Sequence, residues 1–111
     1  MKYDLVLVSY TRHDAIKNGS LVDITDIAKE LGIQYPVAIT KAIWDRYINQ
    51  EDTDVRLWVL LREFRFKSSI KGSSLMRFYV LFGSELICLW AVRSPGDEME
   101  LVVTIMLPCD Y

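Results

Sequence analysis

Residues that carry most enzyme chemistry are scarce in this sequence. It contains a single histidine, His13, and two cysteines, Cys88 and Cys109. One histidine excludes most catalytic triads and metal sites built from several histidines. The two cysteines form neither a disulfide framework nor a paired zinc spacing, so we expect two reduced thiols. No catalytic residue and no metal site is predicted, and we expect the protein not to be an enzyme.

Glycine-rich loops and long apolar segments are also missing. The five glycines stand singly and match no phosphate-binding spacing, so no cofactor is predicted. The longest unbroken apolar run, residues 86–92, is far shorter than the roughly 20 residues that cross a bilayer. Residues 3–8 include Asp4 and precede no small-residue cleavage site, which argues against a signal peptide. We expect a cytoplasmic protein with no membrane partner.

The composition is that of a globular domain. Hydrophobic residues make up 51% of the 111 residues and charged residues 25%. The length lies near the commonest domain size, and no segment repeats at a fixed period, so we predict one domain over residues 1–111. The formal net charge of -2 argues against a general nucleic-acid binder, because such proteins neutralise phosphates with Lys and Arg.

Capping residues predict short helices in the amino-terminal half. Thr11 precedes a helix at residues 12–18, and Thr25 precedes one at residues 26–31; a glycine follows each. Residues 52–54 are of the types that often cap the start of a helix. They precede a further predicted amphipathic helix, which ends near residue 66 or 67.

The segment that begins at Pro36 has two interpretations. Pro36 suits a first helical turn, and apolar side chains recur every three or four residues after it, which predicts a helix at residues 36–49. The competing interpretation makes residues 37–39 a short strand and begins the helix at Thr40. With the first interpretation, the amino-terminal half contains about four short helices.

The last third of the chain is rich in strand-forming residues. Three such runs, at residues 76–82, 86–92 and 101–107, are separated by short turns, which favours an antiparallel three-stranded β-meander. We therefore predict an α+β fold with the helices packed on this meander. Residues 3–10 are predicted to form an edge strand or an extended arm, and residues 21–24 are predicted to form an extended link. Because both sheet faces are apolar, either helices cover both or one face meets a partner, which leaves a homodimer open.

Acidic residues cluster where helices are predicted to start. Asp23 with Asp26 and Asp52 with Asp54 could suggest a metal site or a two-carboxylate hydrolase. Carboxylates in these positions cap free backbone amides and complement the helix dipole, so we favour capping.

Residues 62–77 are locally basic and aromatic. With Phe64 and Phe66, this segment could bind single-stranded nucleic acid by stacking and phosphate contacts. Helical spacing instead places Phe64 on the buried face and directs Arg62 and Arg65 outward. Residues 67–74 are expected to form a mobile loop. The candidate nucleic-acid-binding side chains are Arg62, Arg65, Lys67, Lys71 and Arg77.

A set of short motifs is spread over residues 9–44: Tyr10-Thr11-Arg12, Asp14-Ala15, Gly19 with Leu21-Val22-Asp23, Ala28 with Gly32, and Pro36-Val37-Ala38 leading to Thr40 and Trp44. With these motifs, residues 9–44 resemble a family of small bacterial proteins of unknown function that are encoded on plasmids and other mobile elements. Residues 104–108 are also similar, whereas residues 51–74 are shorter than in the family. No catalytic role is carried over.

What this resemblance implies is a biological context. Small acidic proteins of mobile elements often inhibit host defences, either restriction enzymes or CRISPR effectors. The resemblance therefore implies a non-enzymatic inhibitor that binds a nucleic-acid-targeting defence nuclease, with anti-CRISPR activity as the first version to test. An acidic surface would compete for the basic channel of a protein partner such as a Cas protein. The alternative is a nucleic-acid-binding accessory or regulatory protein of plasmid maintenance.

The residues expected to contact a protein partner are of two kinds. Aromatic anchors are expected at Tyr35 and Tyr47. The acidic contacts are expected at Asp23, Asp26, Glu30, Glu51, Asp52 and Asp54.

Overall fold

The structure is a computed structural model that describes residues 11–68 and 74–110. It contains helices and one sheet, which confirms the α+β class. The described elements are, in chain order, α1 (Arg12–Lys17), β1 (Leu21–Asp23), α2 (Thr25–Glu30), β2 (Val37–Thr40), α3 (Lys41–Ile43) with a π-helical turn (Trp44–Ile48), α4 (Thr53–Ser68), β3 (Leu75–Phe82), β4 (Glu85–Pro95), β5 (Leu101–Met106) and a 3₁₀ turn (Pro108–Asp110).

The sheet is larger than predicted and is mixed. Its five strands lie in the order β1-β2-β5-β4-β3. β3, β4 and β5 are antiparallel neighbours, as expected for the meander. The prediction of a three-stranded antiparallel sheet is nevertheless wrong in detail, because β2 pairs in parallel with β5 and β1 pairs antiparallel with β2. The link expected at residues 21–24 is therefore mostly the edge strand β1.

The helix predicted at residues 36–49 is wrong in its first part. Val37, Ala38 and Ile39 have no exposed surface, because β2 is an interior strand covered on both faces. A continuous apolar run of this kind lacks the alternation of a surface strand and matches helical spacing equally well. The competing interpretation is the correct one: a strand comes first, and α3 begins after Thr40. The Thr40 hydroxyl donates to the Asp110 carboxylate at 3.0 Å instead of capping the helix.

The main core lies on one face of the sheet, under α4. Leu57, Leu60, Leu61 and Phe64 form the buried side of α4 and belong to the same apolar cluster as every second residue of β3. The Phe64 and Phe78 rings lie 5.8 Å apart, tilted by 57°. This packing fixes which side of α4 faces outward.

Helix α1 lies on the opposite face of the sheet. Arg12 reaches Thr104 Oγ1 at 2.7 Å and the Val103 carbonyl at 2.9 Å with its two terminal nitrogens. Burial lowers the pKa of Arg12, an effect opposed by the nearby carboxylates of Asp23, Asp97 and Glu100. Further along this face, at the β3–β4 hairpin, three large apolar side chains are exposed: Tyr79, Leu81 and Leu86.

The start of α1 is held by two carboxylates. Asp14 and Thr11 form a reciprocal capping box, as the Thr11 prediction requires. Asp97, in the β4–β5 turn, accepts hydrogen bonds from the amides of Arg12 at 2.9 Å and His13 at 3.0 Å. These amides hold the pKa of Asp97 below its usual value. The backbone amides of residues 12, 13 and 14, which have no partner within the helix, are thereby hydrogen-bonded.

Two predicted features lie wholly or partly outside the residues that the structure describes. The strand or arm expected at residues 3–10 lies outside the described residues. α4 continues through Ser68, and residues 69–73 of the expected loop are likewise outside. Over residues 11–68 and 74–110, no helix is long and apolar enough to span a membrane.

Candidate functional site

Helix α4 exposes apolar side chains on the side that does not face the core. Its buried residues recur every three or four positions from Leu57 to Phe64, which leaves Val55 and Trp58 on the outside. Val55 is 59% exposed and Trp58 is 46% exposed. A half-exposed tryptophan is unusual on a helix that only covers a core. The outer side of α4 is therefore the strongest candidate for contact with another molecule.

The outer side of α4 forms a shallow groove that we call the outer stripe. It consists of Asp54, Val55, Trp58, Val59 and Arg62, and its volume is about 420 Å³. The stripe is acidic at its amino end, apolar in the middle and basic at its carboxyl end. Asp54 and Arg62 are eight positions apart, or about 12 Å along the helix axis at 1.5 Å per residue. Both ends therefore offer charge to a partner that covers the apolar centre.

A second groove begins where the outer stripe ends, and we call it the carboxyl-end groove. It has a volume of about 700 Å³ and shares Arg62 with the outer stripe. Its remaining lining is formed by residues 32–35 of the loop after α2 and by Arg65, Phe66 and Ser68 of α4. Arginine and aromatic side chains thus meet in one concave surface.

Gly32 permits close contact between this loop and α4. Its φ of +84° is in the left-handed region that favours glycine, and it ends α2 as predicted. A Cβ at this position would lie 3.3 Å from an Arg65 guanidinium nitrogen. A side chain at position 32 would therefore strain the backbone and displace Arg65.

Two of the six predicted acidic contacts are occupied within the chain. Asp23 accepts hydrogen bonds from the amide and hydroxyl of Thr25 at the start of α2. Asp52 forms an ion pair with Arg56 at 2.8 Å, and this hydrogen bond lowers the pKa of Asp52. Both carboxylates organise helix starts.

The other four acidic candidates are exposed and lie on different parts of the chain. Asp26 and Glu30 lie on α2, and Glu51 lies in the turn two residues before the start of α4. Asp54 is the member of this group that lines a described groove, at the amino end of the outer stripe. The acidic surface is therefore distributed over separate elements.

The two predicted aromatic anchors differ in their surroundings. Tyr35 is half-buried and lines the carboxyl-end groove. Tyr47 is also half-buried, and its ring stacks on Phe82 with centroids 5.4 Å apart and planes 9° from parallel. Arg56 donates to the Tyr47 carbonyl at 2.9 Å and lies over the same Phe82 ring. Tyr47 thus contributes mainly to internal packing.

The predicted basic residues are only partly brought together. Arg62 and Arg65 meet in the carboxyl-end groove, and Lys67 is exposed on the last turn of α4. Arg77 is exposed on β3, and its alternation with buried Phe78 places it on the sheet face opposite α4. Lys71 lies outside the described residues.

Val55 and Trp58 were missed as surface candidates. The sequence pattern counted Trp58 with Leu57, Leu61 and Phe64 as the apolar residues of one amphipathic helix. Adjacent helical positions lie about 100° apart, so the stripe formed by Leu57, Leu61 and Phe64 already implied that Trp58 points elsewhere.

No similarity to other proteins assigns a role to this surface. Comparisons with protein-family models, curated proteins and solved structures gave no match. In the described parts of the chain, no group of three or more His, Cys, Asp or Glu side chains lies close enough to hold a metal ion.

Proposed function

We propose that this chain is a non-enzymatic inhibitor that binds a host nuclease acting on nucleic acid, with a Cas effector as the first target to test. The observation that carries this proposal is the outer stripe, where a half-exposed Trp58 stands between Val55 and Arg62. Tryptophan, tyrosine and arginine are enriched among the residues that dominate protein–protein binding energy. The choice of target is part of the proposal and follows from the resemblance inferred from the sequence of residues 9–44.

The mechanism of inhibition would be occupation of a surface that the nuclease needs. Trp58 and Val55 would bury apolar area, while Asp54, Glu51, Asp26 and Glu30 would present negative charge toward a basic nucleic-acid channel. An acidic competitor in such a channel prevents the phosphate contacts on which nuclease binding depends.

The test is complex formation with purified effectors and protection of plasmid DNA in a defence-proficient strain. We expect Trp58→Ala to weaken binding by roughly tenfold or more, because truncation of a central anchor typically costs this much, and Arg62→Ala, at the end of the outer stripe, to weaken it less. Charge reversal of Asp26 and Glu30 should weaken inhibition without unfolding the protein. Arg46→Ala, at an exposed arginine that does not line the outer stripe, is the matched control for Arg62→Ala. If the wild type neither co-elutes with an effector nor protects DNA, the proposal is wrong.

A nucleic-acid-binding accessory or regulator of plasmid maintenance is the second candidate. It is favoured by the carboxyl-end groove, where Arg62 and Arg65 could contact phosphates while Tyr35 and Phe66 stack on bases. It predicts a mobility shift of single-stranded oligonucleotides that weakens with added salt and with Arg65→Glu. An unshifted oligonucleotide at low salt removes this candidate.

A further inference from the structure

We propose that α4 pairs antiparallel with α4 of a second copy of this chain, about a two-fold axis beside Trp58. The resulting homodimer covers the outer stripe. The dimer itself does not depend on the proposed function. Only its consequence rests on that function, namely that the dimer covers the surface proposed to bind the nuclease.

The first support is the self-complementary charge of the outer stripe. Its carboxylate, Asp54, lies at the amino end, and its guanidinium, Arg62, lies at the carboxyl end. When two identical helices run antiparallel, the acidic end of one meets the basic end of the other. The contact between Asp54 and Arg62 of the other copy occurs twice in the symmetric dimer, so this pair of side chains yields two intermolecular ion pairs.

The second support is that one register satisfies two sets of charges. Residue 58 lies midway between Asp54 and Arg62, and it also lies midway between Glu51 and Arg65. A two-fold axis at the level of residue 58 therefore brings Asp54 level with Arg62 of the other copy. The same axis brings Glu51, in the turn two residues before the start of the helix, toward the end of α4 that carries Arg65 in the other copy. A parallel pair would instead place like charges together.

The third support is the apolar centre that this axis would bury. Val55, Trp58 and Val59 line the groove of about 420 Å³ between the two charged ends. Helices pack by inserting the side-chain ridge of one into the groove of the other at interaxial distances of about 8–10 Å. In the antiparallel register, the two Trp58 side chains meet near the axis. Their burial supplies the apolar contact that exposed ion pairs alone lack.

The dimer has a consequence for the binding activity. Self-association and nuclease binding would use the same Trp58 surface, so they would exclude one another. By mass action, dilution would release monomers with an accessible outer stripe. The surface would be covered when no target is present, which limits the exposure of an apolar patch.

The test is a charge-swap experiment followed by sedimentation velocity and light scattering, without any nuclease. Asp54→Arg and Arg62→Asp each place like charges together in both contacts of the homodimer. We expect each single variant to raise the dimer dissociation constant by roughly tenfold or more. When the two single variants are mixed in equal amounts, each contact between unlike copies joins one basic and one acidic side chain, so the mixture should form a heterodimer. Both substituted positions are exposed, and far-UV circular dichroism checks that each variant folds.

A second arrangement of the same charges gives an independent check. The double variant that carries Asp54→Arg and Arg62→Asp in one chain should dimerise like the wild type. Arg46→Glu should not change the dissociation constant. A wild type that stays monomeric across the accessible concentration range overturns the inference, as do single variants that remain fully dimeric or a mixture that stays monomeric.

The outcomes separate this inference from the proposed function. A protein that dimerises as expected but binds no effector removes the nuclease proposal and leaves the dimer intact. A protein that binds an effector while remaining monomeric removes the dimer and leaves the nuclease proposal intact. Competition is shown if the effector converts the wild-type dimer into a complex with one copy of the chain, and a complex that retains the dimer contradicts it.

Discussion

Arg12 joins helix α1 to the sheet through its backbone and its side chain together. Its guanidinium donates to Thr104 Oγ1 and to the Val103 carbonyl, while its amide donates to Asp97. A planar guanidinium donates in two directions at once, whereas a lysine ammonium is a point charge on a flexible stem. The position therefore requires arginine for geometric reasons as well as for charge.

Replacement of Arg12 should destabilise the fold. We expect Arg12→Ala to lower the free energy of unfolding by about 1–3 kcal/mol, because it leaves acceptors near the sheet without their charged donor. Arg12→Lys should recover only part of this loss. Urea unfolding measures both values, with Lys17→Ala on the exposed last turn of α1 as the control. Equal unfolding free energies for Arg12→Ala and Lys17→Ala would contradict the structural role.

The placement of a side chain, buried or exposed, was predictable where its position on a single helix determined it. Phe64 was expected on the buried face and Arg62 and Arg65 outside it, and the structure confirms all three placements. Tyr47 was expected as an exposed anchor, yet it stacks on Phe82, which lies far away in the sequence. Its surroundings depend on which strand lies against the π-helical turn, and local periodicity contains no such information.

Elements were predictable from sequence when their ends carried caps. Thr11 and Gly19 delimit α1 correctly, and short turns separate the strands of the meander as expected. β2 was ambiguous because an interior strand and a buried helix both appear as continuous apolar runs. The parallel pairing of β2 with β5 joins residues 37–39 to residues 103–105, a contact between distant segments.

The attachment of α1 should depend on pH through Asp97. The amides of Arg12 and His13 stabilise the charged carboxylate, so its pKa is lower in the folded state than in the unfolded chain. Its contribution to stability is therefore fully present above the unfolded value of about 3.9 and is lost as the pH falls through the lower, folded value. Asp97→Ala should melt below the wild type at neutral pH.

Thermal melts from neutral pH down to about pH 2 check this prediction. The difference in melting temperature between the wild type and Asp97→Ala should shrink as the pH drops below the usual range of a carboxyl group. Glu98→Ala, in the same turn, is the matched control and should follow the wild type throughout. A difference that stays constant with pH would mean that the charge of Asp97 does not act through these amides.

At the scale of the whole molecule, one apolar cluster connects most of the described elements. It includes residues of α2, β2, α3 with its π-helical turn, α4 and the last three strands. Composition and length predicted a single domain, and a shared core of this extent leads us to expect one cooperative unfolding transition. Far-UV circular dichroism and tryptophan fluorescence should then report the same midpoint.

A pair of identical substitutions tests whether this core controls the unfolding of the whole chain. Leu61 is fully buried in α4, whereas Leu86 is 64% exposed at the β3–β4 hairpin. Leu61→Ala should cost about 2–5 kcal/mol, because it removes buried methyl groups and leaves a cavity. Leu86→Ala should change stability by no more than about 0.5 kcal/mol.

Because native domains are stable by only about 5–15 kcal/mol, Leu61→Ala should lower the urea midpoint strongly. Both spectroscopic probes should move together, since α4 and the sheet share the cluster to which Leu61 belongs. If the two probes gave different midpoints, the chain would contain parts that unfold independently, and the single-domain prediction would be wrong. Coincident shifts for Leu61→Ala, with Leu86→Ala unchanged, would show that α4 presents its outer stripe from a rigid, cooperatively folded body.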